Sequence, residues 1–189
     1  MHNPHHDHDA TDVFGFWLYI MTDCILFACL FAVFLVMHSG IAGPILKNYL
    51  DLKNVLFETF LLLASNFTFC LALLNLNKEK FLKVQGWLVI TLLLGAGFIA
   101  MELAEFTTLA ADGYRWDVSG QASSFFTLVG THGLHVTIGL CWILLMMLQL
   151  PLIKLEAMKR RMTYLGLFWN FLDIVWIFVF TIVYLMGSL

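Results

Sequence analysis

The sequence is short of charge. Of its 189 residues, 12% are Asp, Glu, Lys or Arg, while 61% are hydrophobic. A soluble domain usually carries about 25% charged and about 45–50% apolar residues, so neither a water-soluble globule nor a disordered chain fits. A net charge of −3, with no sustained basic run, excludes a nucleic-acid backbone as partner. Proline is scarce: Pro4, Pro44 and Pro151 are all there is. None interrupts the interior of an apolar run, as helices require, because an interior proline removes a backbone bond. No Lys or Arg stands among residues 1–13, so the positive region that opens a secretory signal peptide is missing. The four cysteines, Cys24, Cys29, Cys70 and Cys141, lie in apolar runs without a CxxC pair. Zinc and iron–sulfur sites need convergent thiolates, and disulfide frameworks an oxidising aqueous compartment, which leaves them as small buried hydrophobes. There is no glycine-rich phosphate loop and no inverted internal repeat of the transporter kind.

What is present is five apolar runs, at 14–37, 55–75, 84–103, 125–150 and 165–186, in a chain of mean hydropathy +0.86. About 20 residues at about 1.5 Å each cross a hydrocarbon layer of about 30 Å. Each run is apolar nearly all round, unlike the one-sided stripe of a soluble helix. The expected fold is therefore all-α: one polytopic membrane domain over 14–189, a bundle of five transmembrane helices. Residues 1–13, with His2, His5, His6, His8, Asp7, Asp9 and Asp12, read as a flexible, solvated cytoplasmic tail. Cation placement orients the bundle. Lys78, Lys80, Lys83, Lys154, Lys159, Arg160 and Arg161 fall on the side of the N-terminal tail, and Lys47, Lys53 and Arg115 on the other. The N-terminus is then expected in the cytoplasm and the C-terminus in the periplasm. The third loop, 104–124, contains the turn pairs Asp112-Gly113 and Ser119-Gly120, with Tyr114 and Trp116 suited to the membrane boundary.

An ionisable side chain inside a span costs roughly 2.5–3.5 kcal/mol on insertion scales, so it needs a partner or a task. Asp23 and Asp173 lie deep in the first and fifth spans, roughly 12–14 Å from the cytoplasmic side. On the outer side, Glu58 opens the second span, Glu102 and Glu105 close the third, and His132 and His135 share a face of the fourth. With His38 and Arg115 these groups are expected to meet in one outer polar cluster. Its readings are a hydrogen-bonded network that locks helices together, a lipid-headgroup site, or a proton or metal site. Haem ligation needs axial ligands from opposed helices, and only His38, near the water, could oppose the other two. Glycines at Gly95, Gly97, Gly130, Gly133 and Gly139 read as packing positions. Trp17, Trp142, Trp169 and Trp176 read as ordinary for lipid-facing or inter-subunit surfaces.

Several stretches together resemble one family. Phe14-Gly-Phe-Trp-Leu-Tyr-Ile-Met-Thr-Asp-Cys, Gly130-Thr-His-Gly-Leu-His-Val and Phe168-Trp-Asn-Phe-Leu-Asp-Ile-Val-Trp resemble the carboxylate helix, the glycine–histidine helix and the C-terminal signature of haem–copper terminal oxidase subunit III. Glu58-Thr-Phe-Leu-Leu-Leu and Gly95-Ala-Gly-Phe-Ile-Ala-Met-Glu-Leu-Ala-Glu extend the match, which runs over almost the whole chain from Phe14. Five helices are most similar to the cytochrome bo-type ubiquinol oxidase branch, since the longer cytochrome c oxidase members carry two more at the N-terminus. The resemblance implies a non-catalytic subunit of a proton-pumping oxidase in the bacterial inner membrane. Such a subunit sits beside a subunit I that holds both haems and the copper, with subunits II and IV in the same complex. It implies no redox cofactor in this chain, structural phospholipid, and support of proton uptake, assembly and stability. Asp23 takes the place of the family's intramembrane carboxylate, and Trp169, Asn170, Asp173 and Trp176 that of the C-terminal signature. The family usually has His where Asn170 stands, and Asn cannot titrate, so a structural hydrogen bond is the role left there. The alternative reading is an independent proton-coupled transporter or channel using Asp23 and Asp173. A third is a haem-binding membrane anchor.

Overall fold

Hydropathy marks where lipid touches a helix rather than where the helix ends, and the helices here outrun their apolar centres. The computed structural model describes residues 4–38, 52–150, 152 and 154–185, with side chains for 13–37, 52–150, 152 and 154–184. Helix α1 covers Pro4–His38, α2 Leu52–Asn77, α3 Phe81–Ala111, α4 Gly120–Gln149 and α5 Leu155–Val179, and a π-helical stretch, Phe180–Leu185, continues α5. All five are long and apolar enough to cross a membrane. Residues 4–13 of the segment expected to be a tail are thus helical backbone. Pro4 is pre-organised for a first helical position, and Asp7 closes the first turn, where the helix dipole favours negative charge.

The third loop shrinks from 104–124 to 112–119. Leu109, Ala110 and Ala111 are good helix formers that extend α3, and Thr107 and Thr108 bond back to the Ala104 carbonyl at 2.8 and 2.9 Å instead of breaking the helix. The chain then turns at Gly113, whose φ of +90° suits glycine. Ser119, expected in a turn pair, is the N-cap of α4: its Oγ accepts from the Ala122 N–H at 3.1 Å. The cationic stretch Lys159–Arg161 belongs to the first turns of α5 rather than to a loop.

The packing makes a closed ring with one helix outside it. Around the ring α2 packs on α3, α3 on α4, α4 on α5, and α5 back on α2, while α1 lies against α4 and, less extensively, α5. α2 and α3 form a hairpin through the tight turn at Lys78–Lys80. The ring interior holds Trp169, Trp176, Phe98, Phe125 and Tyr184 among its largest fully buried side chains. Trp169 and Trp176 are therefore core, and Trp17 is the outward-facing tryptophan of that group with 51% exposure. Two more expectations are corrected. All four cysteines are exposed on the outside of the bundle, because in lipid an apolar residue gains nothing by turning inward. Tyr114 is fully buried and packs against Phe125 and Phe126 at 6.3 Å, leaving Trp116 at the surface.

Glycine sets how closely the ring closes. A Cβ at Gly139 would meet the Trp169 ring at 2.7 and 2.9 Å, and one at Gly133 would meet the Glu102 carboxylate at 2.6 Å. The expectation that these glycines are packing positions holds at both.

Candidate functional site

The polar groups in the spans do not form one cluster. They divide among three places, because groups at similar depth on different helices need not point the same way. His38 closes α1, and its side chain lies outside the described residues. Arg115 is half exposed in the short α3–α4 loop, where its Nε lies 3.4 Å from Asp117 Oδ1.

The first place joins α1 to α4. Asp23, 7% exposed, has its Oδ1 3.9 Å from His135 Nε2. His135 Nδ1 sits 2.7 Å from the Thr131 carbonyl oxygen. A carbonyl only accepts, so Nδ1 carries hydrogen and the neutral ring turns a lone pair toward Asp23. An attractive contact between the two then requires a proton on the carboxyl or a second one on the ring. α4 begins at Gly120, so His135 stands about 22 Å along a helix about 45 Å long, near its middle.

The second place joins α2 to α5. Asn66 Nδ2 donates to Asp173 Oδ2 at 3.0 Å, Trp169 Nε1 to Ser65 Oγ at 3.2 Å, and Trp176 Nε1 to Thr59 Oγ1 at 3.0 Å. Thr68 and Thr91 hydroxyls pair at 2.8 Å and carry the polar line on to α3. Thr59, Ser65, Asn66 and Thr91 escaped the sequence reading. The signal was present: Thr59 and Asn66, seven residues apart, repeat on one face of an apolar helix. Asp23 and Asp173, paired in the expectation by depth, have separate partners. Asn170 points away from this seam and lines an apolar groove of about 550 Å³ between α1 and α5, with Trp17, Phe27 and Phe171 on its walls.

The third place lies where α2 begins and α3 ends. Glu58 is 1% and Glu102 3% exposed, and the Tyr184 hydroxyl donates to Glu105 Oε2 at 2.9 Å. Tyr184 comes from the π-helical stretch after α5; such widened turns re-aim side chains and recur at functional sites. His132, expected in this cluster, is fully buried among aromatics instead. Its ring stacks on Trp176 at 5.1 Å and meets Phe98 edge-on at 5.9 Å.

Among the described residues these groups do not make a haem or metal ligand set. His132 and His135 are the histidines whose side chains are described, and both stand on α4, so neither opposes the other across a haem. Among the described residues no group of three His, Cys, Asp or Glu is placed to hold a metal ion. The arrangement can tie helices together, set Asp23 beside His135, and gather three carboxyl side chains at one end of the ring.

Comparison with known proteins points in one direction. The profile of the family described as cytochrome c oxidase subunit III matches residues 4–188. Cytochrome bo(3) ubiquinol oxidase subunit 3 of Pseudomonas aeruginosa is 51% identical over 190 residues, covering 100% of this chain and 91% of that protein. The protein of the same name from Pseudomonas putida is 52% identical over 186 residues, 97% of this chain and 90% of its own length. Cytochrome c oxidase subunit 3 of Bacillus sp. strain PS3 is 41% identical over 175 residues, 92% of this chain and 84% of its own length.

Proposed function

Since the chain belongs to the cytochrome c oxidase subunit III family, a multi-pass protein of the bacterial inner membrane, we propose that it serves as the non-catalytic third subunit of a proton-pumping cytochrome bo-type ubiquinol oxidase. In that complex ubiquinol is oxidised and oxygen reduced to water in subunit I, which carries the haems and copper. This chain packs beside subunit I, with subunits II and IV completing the assembly. The observation that carries the reading is the likeness of the whole chain, at 51 and 52% identity, to two proteins named ubiquinol oxidase subunit 3. The 41% likeness to a cytochrome c oxidase subunit 3 keeps electron-donor choice with the other subunits. The names of the relatives give no support to an independent transporter or channel.

Physical features agree with an accessory role. α1 stands outside the ring and bares Phe14, Trp17, Ile25 and Val36, as suits a helix that meets lipid or a neighbouring subunit. Its groove against α5 is sized for acyl chains of a structural phospholipid. The cations at the α2–α3 turn and the start of α5 support a cytoplasmic N-terminus. Asp23, with His135, is the pair to examine for support of proton uptake.

The test is to purify the complex with and without this subunit and to follow ubiquinol oxidase turnover, proton pumping and the decay of activity. The expected result is unchanged haem content with weaker pumping or faster inactivation in the depleted complex. An isolated chain that binds haem or copper stoichiometrically and consumes oxygen unaided would end the proposal.

A further inference from the structure

The cavity at the third polar place has no task in the accessory reading. It has a volume of about 230 Å³ and lies between α2 and α3, with Asn54, Glu58, Glu105 and Thr108 as its polar walls. That is several times the roughly 30 Å³ share of one water. Met101 and Leu109 are among its apolar walls, and among the described residues no Lys, Arg or His lines it.

Apart from Asn54, whose amide both donates and accepts, the polar lining accepts hydrogen bonds. Thr108 spends its hydroxyl hydrogen on the Ala104 carbonyl at 2.9 Å, so its oxygen offers lone pairs alone. The Tyr184 hydroxyl fixes Glu105 at 2.9 Å. Glu58, at 1% exposure, has a buried Oε2 that finds no hydrogen-bond partner among the described residues although the side chain borders the cavity. A buried carboxylate oxygen without a donor is costly, and here a space for a donor lies beside it. An ammonium group brings three N–H donors and no acceptor. The absence of a three-ligand metal group among the described residues favours an organic cation over a metal ion, and the apolar wall favours one on an alkyl arm. Depth agrees as well. Glu58 and Glu105 each stand six residues, about 9 Å, from the helix end at that side, the level of the headgroup boundary in a bilayer about 40–45 Å thick overall.

We propose that this cavity is a binding site for a primary alkylammonium group, with Glu58 as its counter-charge and Glu105 and Thr108 as further acceptors. The group comes either on an ethanolamine phospholipid or as a soluble amine. The site is separate from the α1–α5 groove, and its test does not depend on the oxidase reading, because binding is measured in whatever assembly a tag on this chain recovers.

The assembly is placed in nanodiscs of phosphatidylglycerol and titrated with phosphatidylethanolamine or with free ethanolamine, with bound species read by native mass spectrometry. Specific binding of the ethanolamine lipid, weakened about tenfold or more by Glu58→Gln, is expected. Glu102→Gln should leave it unchanged, since Glu102 lies off the cavity against Gly133. If Glu58→Gln does not assemble, Thr108→Val carries the test. It keeps the shape, removes one acceptor and should weaken binding about threefold. Saturation by free ethanolamine identifies a soluble amine as the source, and response to the lipid alone identifies a headgroup. Equal retention of both phospholipids with no response to ethanolamine, or binding that neither cavity variant alters, overturns the proposal.

Discussion

Gly139→Ala is a stringent test of the ring packing. An ideal Cβ there falls 2.7 Å from Trp169 Cζ3, 2.9 Å from Cε3 and 3.3 Å from Phe168 Cε1. Carbon atoms prefer about 3.5–4.0 Å, so the overlap is about 0.8 Å on a rigid ring. That ring cannot easily withdraw. It is 1% exposed, its Nε1 is held by Ser65, and its far edge already lies 3.3 Å from where a Cβ on Gly95 would stand. Overpacking of this kind costs about 1–3 kcal/mol. Alanine returns up to about 1 kcal/mol of helix propensity at any helical glycine. Gly86 is the matched control: nothing stands within 4 Å of its added Cβ, so Gly86→Ala receives the propensity without the clash. The two variants should therefore differ in stability by about 1–3 kcal/mol, with Gly139→Ala the weaker, in denaturation of the purified complex followed by tryptophan fluorescence. Equal stability of the two would show that Trp169 is not wedged between α3 and α4 as described.

Asp173→Ala strands the Asn66 amide in the α2–α5 seam and should cost about 1–2 kcal/mol, whereas Asp173→Asn keeps an acceptor and should cost less; the same denaturation assay ranks them. Asp23→Asn should leave the haem content of the complex unchanged in its optical spectrum while lowering pumping or stability, and loss of haem would contradict a non-ligand role for Asp23. Burial pushes the Tyr114 phenol up to about 12 from its ordinary 10. The folded state thus holds this proton longer than the unfolded one. Its contribution to stability is whole below pH 10 and is lost as the pH climbs from 10 to about 12. Tyr114→Phe should remove that part of the alkaline loss, and its absorbance titration should lack the tyrosine that ionises at about pH 12.

Much of the fold is written in the length of the apolar runs, since a lipid layer of fixed thickness imposes that length. What hydropathy cannot show is rotation about each helix axis. In water an apolar residue turns inward, but in lipid either side will accept it. Cys24, Cys70 and Trp17 therefore face out, while Trp169 and Trp176 face in, with little in their local sequence to separate them. Rotation also explains why an expected single polar cluster divides. Depth along the chain sets Glu58, Glu102 and Glu105 at one end of the bundle, but His135 turns to α1 and His132 to the aromatic interior. Small polar residues within apolar runs carry the missing information. Thr59, Ser65 and Asn66 mark the face of α2 that meets α5, and they are legible once their helical spacing is read alongside the carboxylates.

The α2–α5 seam also sets an order of events. Its three hydrogen bonds join residues 104 to 117 positions apart in the chain. When α2 leaves the ribosome, its partners are still unwritten. Thr59, Ser65 and Asn66 must wait in the bilayer, or beside an insertion factor, through the synthesis of two further spans. The fifth helix is thus the clasp of the ring it closes, and a nascent chain cut short before it would present quality-control machinery with an open polar flank.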